Sequence, residues 1–411
     1  MTAKAWSDEA ARQAAQSFDL AHLPPGFLDD PYPYYHALRR FDPVHRMPDG
    51  SLLLTRYADV VAVYKDRRFS SDKKIEFKPK FGDGWLYVHH TSSLVFNDPP
   101  LHTRVRRLIM GGLNPRALSA LEPMLVALVD RLLDAAAARG GMDVIEDFAS
   151  AIPIQVIGDL LGVPQADRGP LRGWSLLILG ALEPVLTAEQ LAAGNKAVAD
   201  FRNYLIELVA DRRRNLRDLD SDMLSRLIVG EADGERLTEE ELLQNCIFLL
   251  NAGHETTTNL IGNGIAALLE NPQELARLRA DPTLIKSAVE EFLRYESSNQ
   301  LGNRRAAEAV EIAGQSYPEG TLITLGIGAA NRDPEEFPDP DRLDITRAPN
   351  RHLAFGSGMH ACAGMTLARL EGQLAIGRLL ARFPKIERAG AFKRGGRARF
   401  RGFLSYPVTF K

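Results

Sequence analysis

From about residue 100 to 300 the apolar positions recur every three or four residues with charges between them, a spacing that predicts helices. Leu118–Arg139 and Lys196–Arg214 show it most plainly. Thr238-Glu-Glu-Glu241 has the form of a capping box, and an apolar run follows almost to Asn271. The helix expected there has about 30 residues and a length of about 45 Å. Asn271-Pro272 fits an N-cap followed by proline in the first helical position, and a further helix is expected from Leu284 to Tyr295. Strand-like segments are short: Ser51–Thr55, Val310–Ile312, Leu322–Leu325 and Pro407–Phe410, bounded by Gly, Pro and Asp. Gly326 to Phe355 is rich in Pro, Asp and Arg without periodicity, so a long ordered loop is expected. No repeat or low-complexity linker divides the chain. The pattern predicts a mainly α protein with a small β portion, one domain over residues 1–411, with 1–20 poorly ordered.

Composition narrows the class. In 411 residues, 45% are hydrophobic and 25% charged, which excludes a disordered or fibrous chain. Fifty Lys plus Arg against 53 Asp plus Glu give a net charge of −3, so no global basic field for nucleic acid exists. Two cysteines, Cys246 and Cys362, exclude a disulfide-rich secreted scaffold and point to a reducing compartment. Met1–Phe18 has no apolar signal core, and no apolar run is long enough for a membrane span. A cytoplasmic protein without membrane or nucleic-acid partners is the expectation. Arg212-Arg213-Arg214, the densest basic run, is expected to be a solvated helix end, and Cys246 a core thiol.

The stretch Phe355-Gly-Ser-Gly-Met-His-Ala-Cys-Ala-Gly364 precedes a helical pattern from Met365. A cysteine among glycines at a helix start has its thiol near free backbone N–H groups, which favour a thiolate. Cys362 is therefore a nucleophile, a metal ligand or, on spacing alone, a small buried hydrophobe. Zinc lacks partners at finger-type spacing, and His360 sits too close in sequence to turn back as a base. A single thiolate suits haem, whose macrocycle supplies four ligands itself.

Phe355-x-x-Gly358-x-x-x-Cys362-x-Gly364 resembles the haem-binding signature of the cytochrome P-450 superfamily, in its soluble bacterial branch, and further landmarks follow in order from about Asp29 to Phe410. The resemblance implies a single P-450-type fold around a buried haem b, with Cys362 on the iron. Ala252-Gly253-His254-Glu255-Thr256-Thr257 matches the oxygen-side helix, which makes Glu255 and Thr256 the acid–alcohol pair that supplies protons and Gly253 the site of a local groove. His102, Arg106, Arg304 and His360 match positions that hold the haem propionates. Glu291-x-x-Arg294 matches a buried pair completed by a second arginine, for which Arg342 is the candidate.

The implied reaction inserts one oxygen atom of O2 into a small organic substrate. Electrons would come from NAD(P)H through a reductase and a ferredoxin or flavodoxin, because the chain has no dinucleotide fingerprint or cysteine cluster. An H2O2-driven peroxygenase and a non-catalytic haem sensor are the alternatives, and the complete acid–alcohol pair disfavours both. Arg104, Arg107, Arg347, Arg351 and Arg369 are expected to form a positive face for an acidic carrier. Ser298 and Asn299 stand where the family carries proline and an apolar residue, so a more polar pocket is expected, with Arg399-Phe400 also reaching it. Lys73–Phe96 is expected to be a substrate-covering loop, and His89-His90 in it to be surface or a propionate contact.

Overall fold

The computed structural model describes residues 6–410 apart from 221, 233 and 234. The chain divides into two compact units: Met1–Ser71, Asn263–Cys362 and Lys393–Phe403 form the first, and Asp72–Gly262, Ala363–Phe392 and Leu404–Lys411 the second.

The first unit is built on a five-stranded sheet in the order Val44–Arg46, Leu52–Leu54, Leu322–Gly326, Leu301–Ala306, Phe69–Ser70. Only the pair Leu52–Leu54 with Leu322–Gly326 is parallel. Alternation along a strand assigns Leu52 and Leu54 to one core, with Val60, Val63, Tyr64 and Ile323, and Leu53 to another. That second core contains Ala15, Phe18, Phe27 and Tyr35, so the expectation of poor order is corrected for residues 6–20, while residues 1–5 lie outside the described residues. Asp8–Gln16 is a helix, its first turn capped by Ser7, and burial of Ala15 and Phe18 anchors it.

The second unit is mostly helical. Pro115–Arg139 opens with Asn114 accepting from the Ala117 N–H and ends at Gly140, whose φ of 71° is the left-handed cap that glycine adopts freely. Ala188–Arg214 begins earlier than its periodicity suggests, because Thr187 and Gln190 form a capping box. The capping box at Thr238 forms as predicted, with Glu241 N–H to Thr238 Oγ1 at 3.2 Å and Thr238 N–H to Glu241 Oε2 at 2.9 Å. The helix it starts, Glu239–Glu270, continues from the second unit into the first. Pro407–Phe410 pairs antiparallel with Ile386–Arg388 and Gly141–Asp143.

Two expectations are overturned in this unit. Arg212 is no solvated helix end: it is buried, paired with Asp222, and donates to the Gly162 carbonyl at 3.2 Å, while Arg213 and Arg214 are exposed. Lys73–Phe96 is mainly two helices, Lys74–Phe81 and Trp85–Ser92, rather than a loop.

Glu371 lies on the buried face of the helix Met365–Arg382, between Leu367 and Ala375, and its Oε2 has no hydrogen-bond partner. Burial pushes its pKa up from 4.5 to about 8. Between those values the unfolded chain releases this proton while the folded protein keeps it, so stability falls as pH rises through that window. Glu371→Gln removes this contribution. Its stability relative to wild type, from urea unfolding, is expected to rise between pH 5 and pH 8 by roughly 2–5 kcal/mol. A difference constant across that range would show that Glu371 is ionised at neutral pH.

Candidate haem-thiolate site

In the first unit the cysteine loop folds back on itself through the Cys362 N–H, which donates to the Phe355 carbonyl at 2.8 Å. Gly356 and Gly358 hold φ values of 65° and 70°, and Gly358–His360 forms a single 3-10 turn. A Cβ on Gly358 would stand 2.2 Å from the Tyr64 carbonyl oxygen, so glycine is required there for space as well as for φ. Cys362 is half-buried and stands two residues before Gly364, the N-cap of Met365–Arg382.

The segment leading to this loop is tied to Glu291 and Arg294, both fully buried. Arg294 Nε and Nη2 donate to Glu291 at 2.8 Å each, and its remaining donors reach the carbonyls of Asn331, Pro340 and Arg342. The third member is Arg347, with Nε 3.2 Å from Glu291 Oε2, and not Arg342. Arg342 contributes its carbonyl while its side chain turns outward to Asp344. Four residues separate Arg342 from Arg347 in an aperiodic loop, where spacing gives no means of choosing.

Arg304 lies on the strand Leu301–Ala306, half-buried, its guanidinium carbon 5.1 Å from the Tyr64 ring centroid. Tyr64 also packs against the cysteine loop, its Cε1 3.8 Å from where a Gly356 Cβ would be. One tyrosine thus adjoins the cysteine loop and Arg304. Sequence reasoning missed it, because a tyrosine on the amphipathic helix Tyr57–Lys65 looks like ordinary core. His360 sits in the 3-10 turn, half-buried.

In the second unit, His102 and Arg106 lie one turn apart on Leu101–Gly112, His102 buried and Arg106 half-buried. Glu255 is buried and Thr256 half-buried, with Thr256 Oγ1 donating to the Ala252 carbonyl at 2.8 Å. Between Leu242 and Leu268 every residue of the long helix is buried except Phe248, Leu249, Ala252, Gly253 and Thr256. Their spacing places these five on one face, an accessible stripe on an otherwise enclosed helix. The helix runs unbroken through Gly253. A Cβ on Gly253 would stand 2.6 Å from Ile157 Cδ1, so helix packing explains this glycine.

Other expectations change. His89 and His90 are buried on a helix: His89 Nδ1 is 2.9 Å from Gln244 Oε1, and burial pushes its pKa down to about 4, while His90 packs among Phe77, Phe81 and Phe96. Arg104 bonds Glu241 at 2.5 Å and Arg347 belongs to the Glu291 cluster, so neither is a free cation for a docking face. Cys246 is a core thiol, pushed up to about 12 by burial and then by Asp222. Asn299 forms a single bridge with Phe400, and its Oδ1 has no partner.

Among the described residues, no three His, Cys, Asp or Glu side chains gather as a metal site built from protein alone would need. In the first unit the donor set is instead one half-buried cysteine, with Arg304 and His360 also half-buried, which suits a cofactor that brings its own equatorial ligands and carries carboxylates. The comparisons agree. The family profile of cytochrome P450 matches residues 176–387. A biotin biosynthesis cytochrome P450 of Bacillus subtilis is 38% identical, over 94% of this chain and 97% of its own. A vitamin D(3) 25-hydroxylase of Pseudonocardia autotrophica is 43% identical over 88% of each chain. The crystal structure of P450BioI with an acyl carrier protein bearing hexadec-9Z-enoic acid superposes with a TM-score of 0.89 at 38% identity, over 94% of this chain and all of that one. The chain belongs to the cytochrome P450 family: it is a haem b monooxygenase, an oxidoreductase that acts on a small organic substrate with O2. No helix among the described residues is long and apolar enough to cross a membrane.

Gly358→Ala tests the loop geometry. The clash with Tyr64 and the positive φ are expected to reduce haem incorporation at least tenfold, with far-UV circular dichroism unchanged. Normal haem content would mean that the loop tolerates a different path.

Proposed function

We propose that Cys362 is the thiolate ligand, that His102, Arg106, Arg304 and His360 hold the propionates, and that Glu255 and Thr256 deliver protons. On this reading residues 1–411 act as one catalytic domain in the cytoplasm, with electrons from an NAD(P)H-dependent reductase through a ferredoxin or flavodoxin. Haem, when bound, supplies the redox chemistry that activates dioxygen.

The observation that carries the reading is the accessible stripe on the long helix, which ends at Thr256 with buried Glu255 beside it. Thr256 donates its own proton to the Ala252 carbonyl, so its oxygen lone pairs are left to accept. To pass its own proton on, the hydroxyl turns off the Ala252 carbonyl, and a lone pair then takes the replacement proton. Glu255 is the carboxyl that replenishes it, and its burial restricts exchange with bulk water. Phe248, Leu249, Ala252 and Gly253 make the rest of the stripe apolar, which suits a hydrocarbon portion of the substrate.

Thr256→Ala is expected to keep haem content and the substrate-induced spin shift. Product formed per NAD(P)H should drop by roughly tenfold, with the missing equivalents recovered as peroxide or water. Full coupling in that variant would remove Thr256 from proton delivery.

A further inference from the structure

Within the first unit, one residue, Asn303, holds two guanidinium groups near the Tyr64 hydroxyl. Asn299 pairs with Phe400 in an antiparallel bridge, and the Gln300 N–H donates to the Arg399 carbonyl at 2.8 Å. Arg399 therefore stands opposite Gln300, beside the strand that carries Gly302 and Arg304. At Gly302 the strand carries no side chain. A Cβ there would be 2.9 Å from the Tyr64 hydroxyl, so this hydroxyl occupies the gap. Arg304 lies over the Tyr64 ring and donates to the Asn303 carbonyl at 2.8 Å, while Arg399 bonds Asn303 Oδ1, so the two guanidinium groups share one residue. Burial raises the Tyr64 phenol above its usual range, and Arg304 and then Arg399 act in the opposite sense, which sets both charges within electrostatic reach of its oxygen. Arg304 and Arg399 are both half-buried, so both remain accessible to a ligand.

We propose that Arg399, with Arg304 and the Tyr64 hydroxyl, forms a seat for a carboxylate. Like charges near one donor are stabilised by an anion between them, and guanidinium groups match carboxylate geometry. Two carboxylates fit the description: a propionate of the haem, or an acid group on the substrate. The proposal rests on the assignment of Arg304 to haem binding, and it adds Arg399 and Tyr64 to that assignment.

The test compares Arg399→Gln, Arg304→Gln and Tyr64→Phe holoenzymes with wild type. One arm measures haem release to excess apomyoglobin. The other titrates a panel of alkyl and aryl carboxylic acids, each beside its matching alcohol, and reads the Soret spin shift. If the seat holds a propionate, Arg399→Gln releases haem about tenfold faster and the acid-to-alcohol preference is unchanged. If it holds substrate, haem release is unchanged and the preferred acid loses about tenfold affinity while its alcohol does not. Either result supports the seat. Wild-type haem release and wild-type ligand preference in Arg399→Gln would overturn it. If Arg304→Gln is also silent in the haem arm, the assignment of Arg304 falls as well; if Arg304→Gln alone accelerates release, only the role of Arg399 falls.

Discussion

A fully buried carboxylate and a fully buried guanidinium, Glu291 and Arg294, set the shape of everything that leads to the cysteine. Removing two such charges from water costs several kcal/mol each, and their mutual attraction offsets this only when every remaining donor and acceptor is used. Here each is used. Arg294 spends two N–H groups on Glu291 and three on backbone carbonyls of Asn331, Pro340 and Arg342. Glu291 in turn accepts from Arg347, the Asp344 N–H and Asn350 Nδ2. An aperiodic segment from Asn331 to Asn350, which has little regular structure of its own, is thereby given one path. Removing either charge alone would strand its partner in the interior, so the pair acts on folding far more than an exposed pair of the same residues would.

A second buried cluster organises the same unit in the same way. Burial works against the Glu296 carboxylate, but Arg401, Arg394 and Arg332 together hold its pKa below the ordinary range. Arg401 bonds Glu296 and also the carbonyls of Leu28 and Asp29, while Arg332 donates to the Tyr295 carbonyl at 2.7 and 3.0 Å. The N-terminal segment, the end of the helix Ile285–Tyr295 and the turn around Arg399 are therefore fixed by one set of charges. Arg399 owes its position beside Asn303 to that turn. Rigid placement of the cationic side chains is thus a property of the buried acids beneath them.

Much of this was legible in the amino-acid pattern, and the losses have physical causes. The long helix, its capping box, the four short strands and the cysteine loop announce themselves by period, by turn residues or by a specific spacing. Glu255, Thr256 and Cys362 carry a family resemblance that local sequence can hold. Arg347 could not be preferred to Arg342, because tertiary hydrogen bonds decide between arginines in a loop without periodicity. Burial of Arg212 depends on Asp222, ten residues beyond it, and on a carbonyl at Gly162. Tyr64 was invisible as a site residue for the same reason: its neighbours are glycines distant in sequence, and a missing Cβ leaves no pattern. Helical order was lost in Asp8–Gln16, a short polar run with only alanine to mark its apolar face, in Lys74–Phe81, where lysines interrupt the apolar positions, and in Trp85–Ser92, whose eight residues are too few for a clear period.

All of these constraints converge on one sulfur atom, and its role can be read directly. The reduced protein under carbon monoxide should show the strongly red-shifted Soret band of a thiolate-ligated haem. Cys362→Ser, which keeps the loop's shape and replaces only the donor atom, should lose that band while retaining bound haem. A variant that keeps the band unchanged would contradict the assignment of Cys362, and with it the account of why the loop is held as it is.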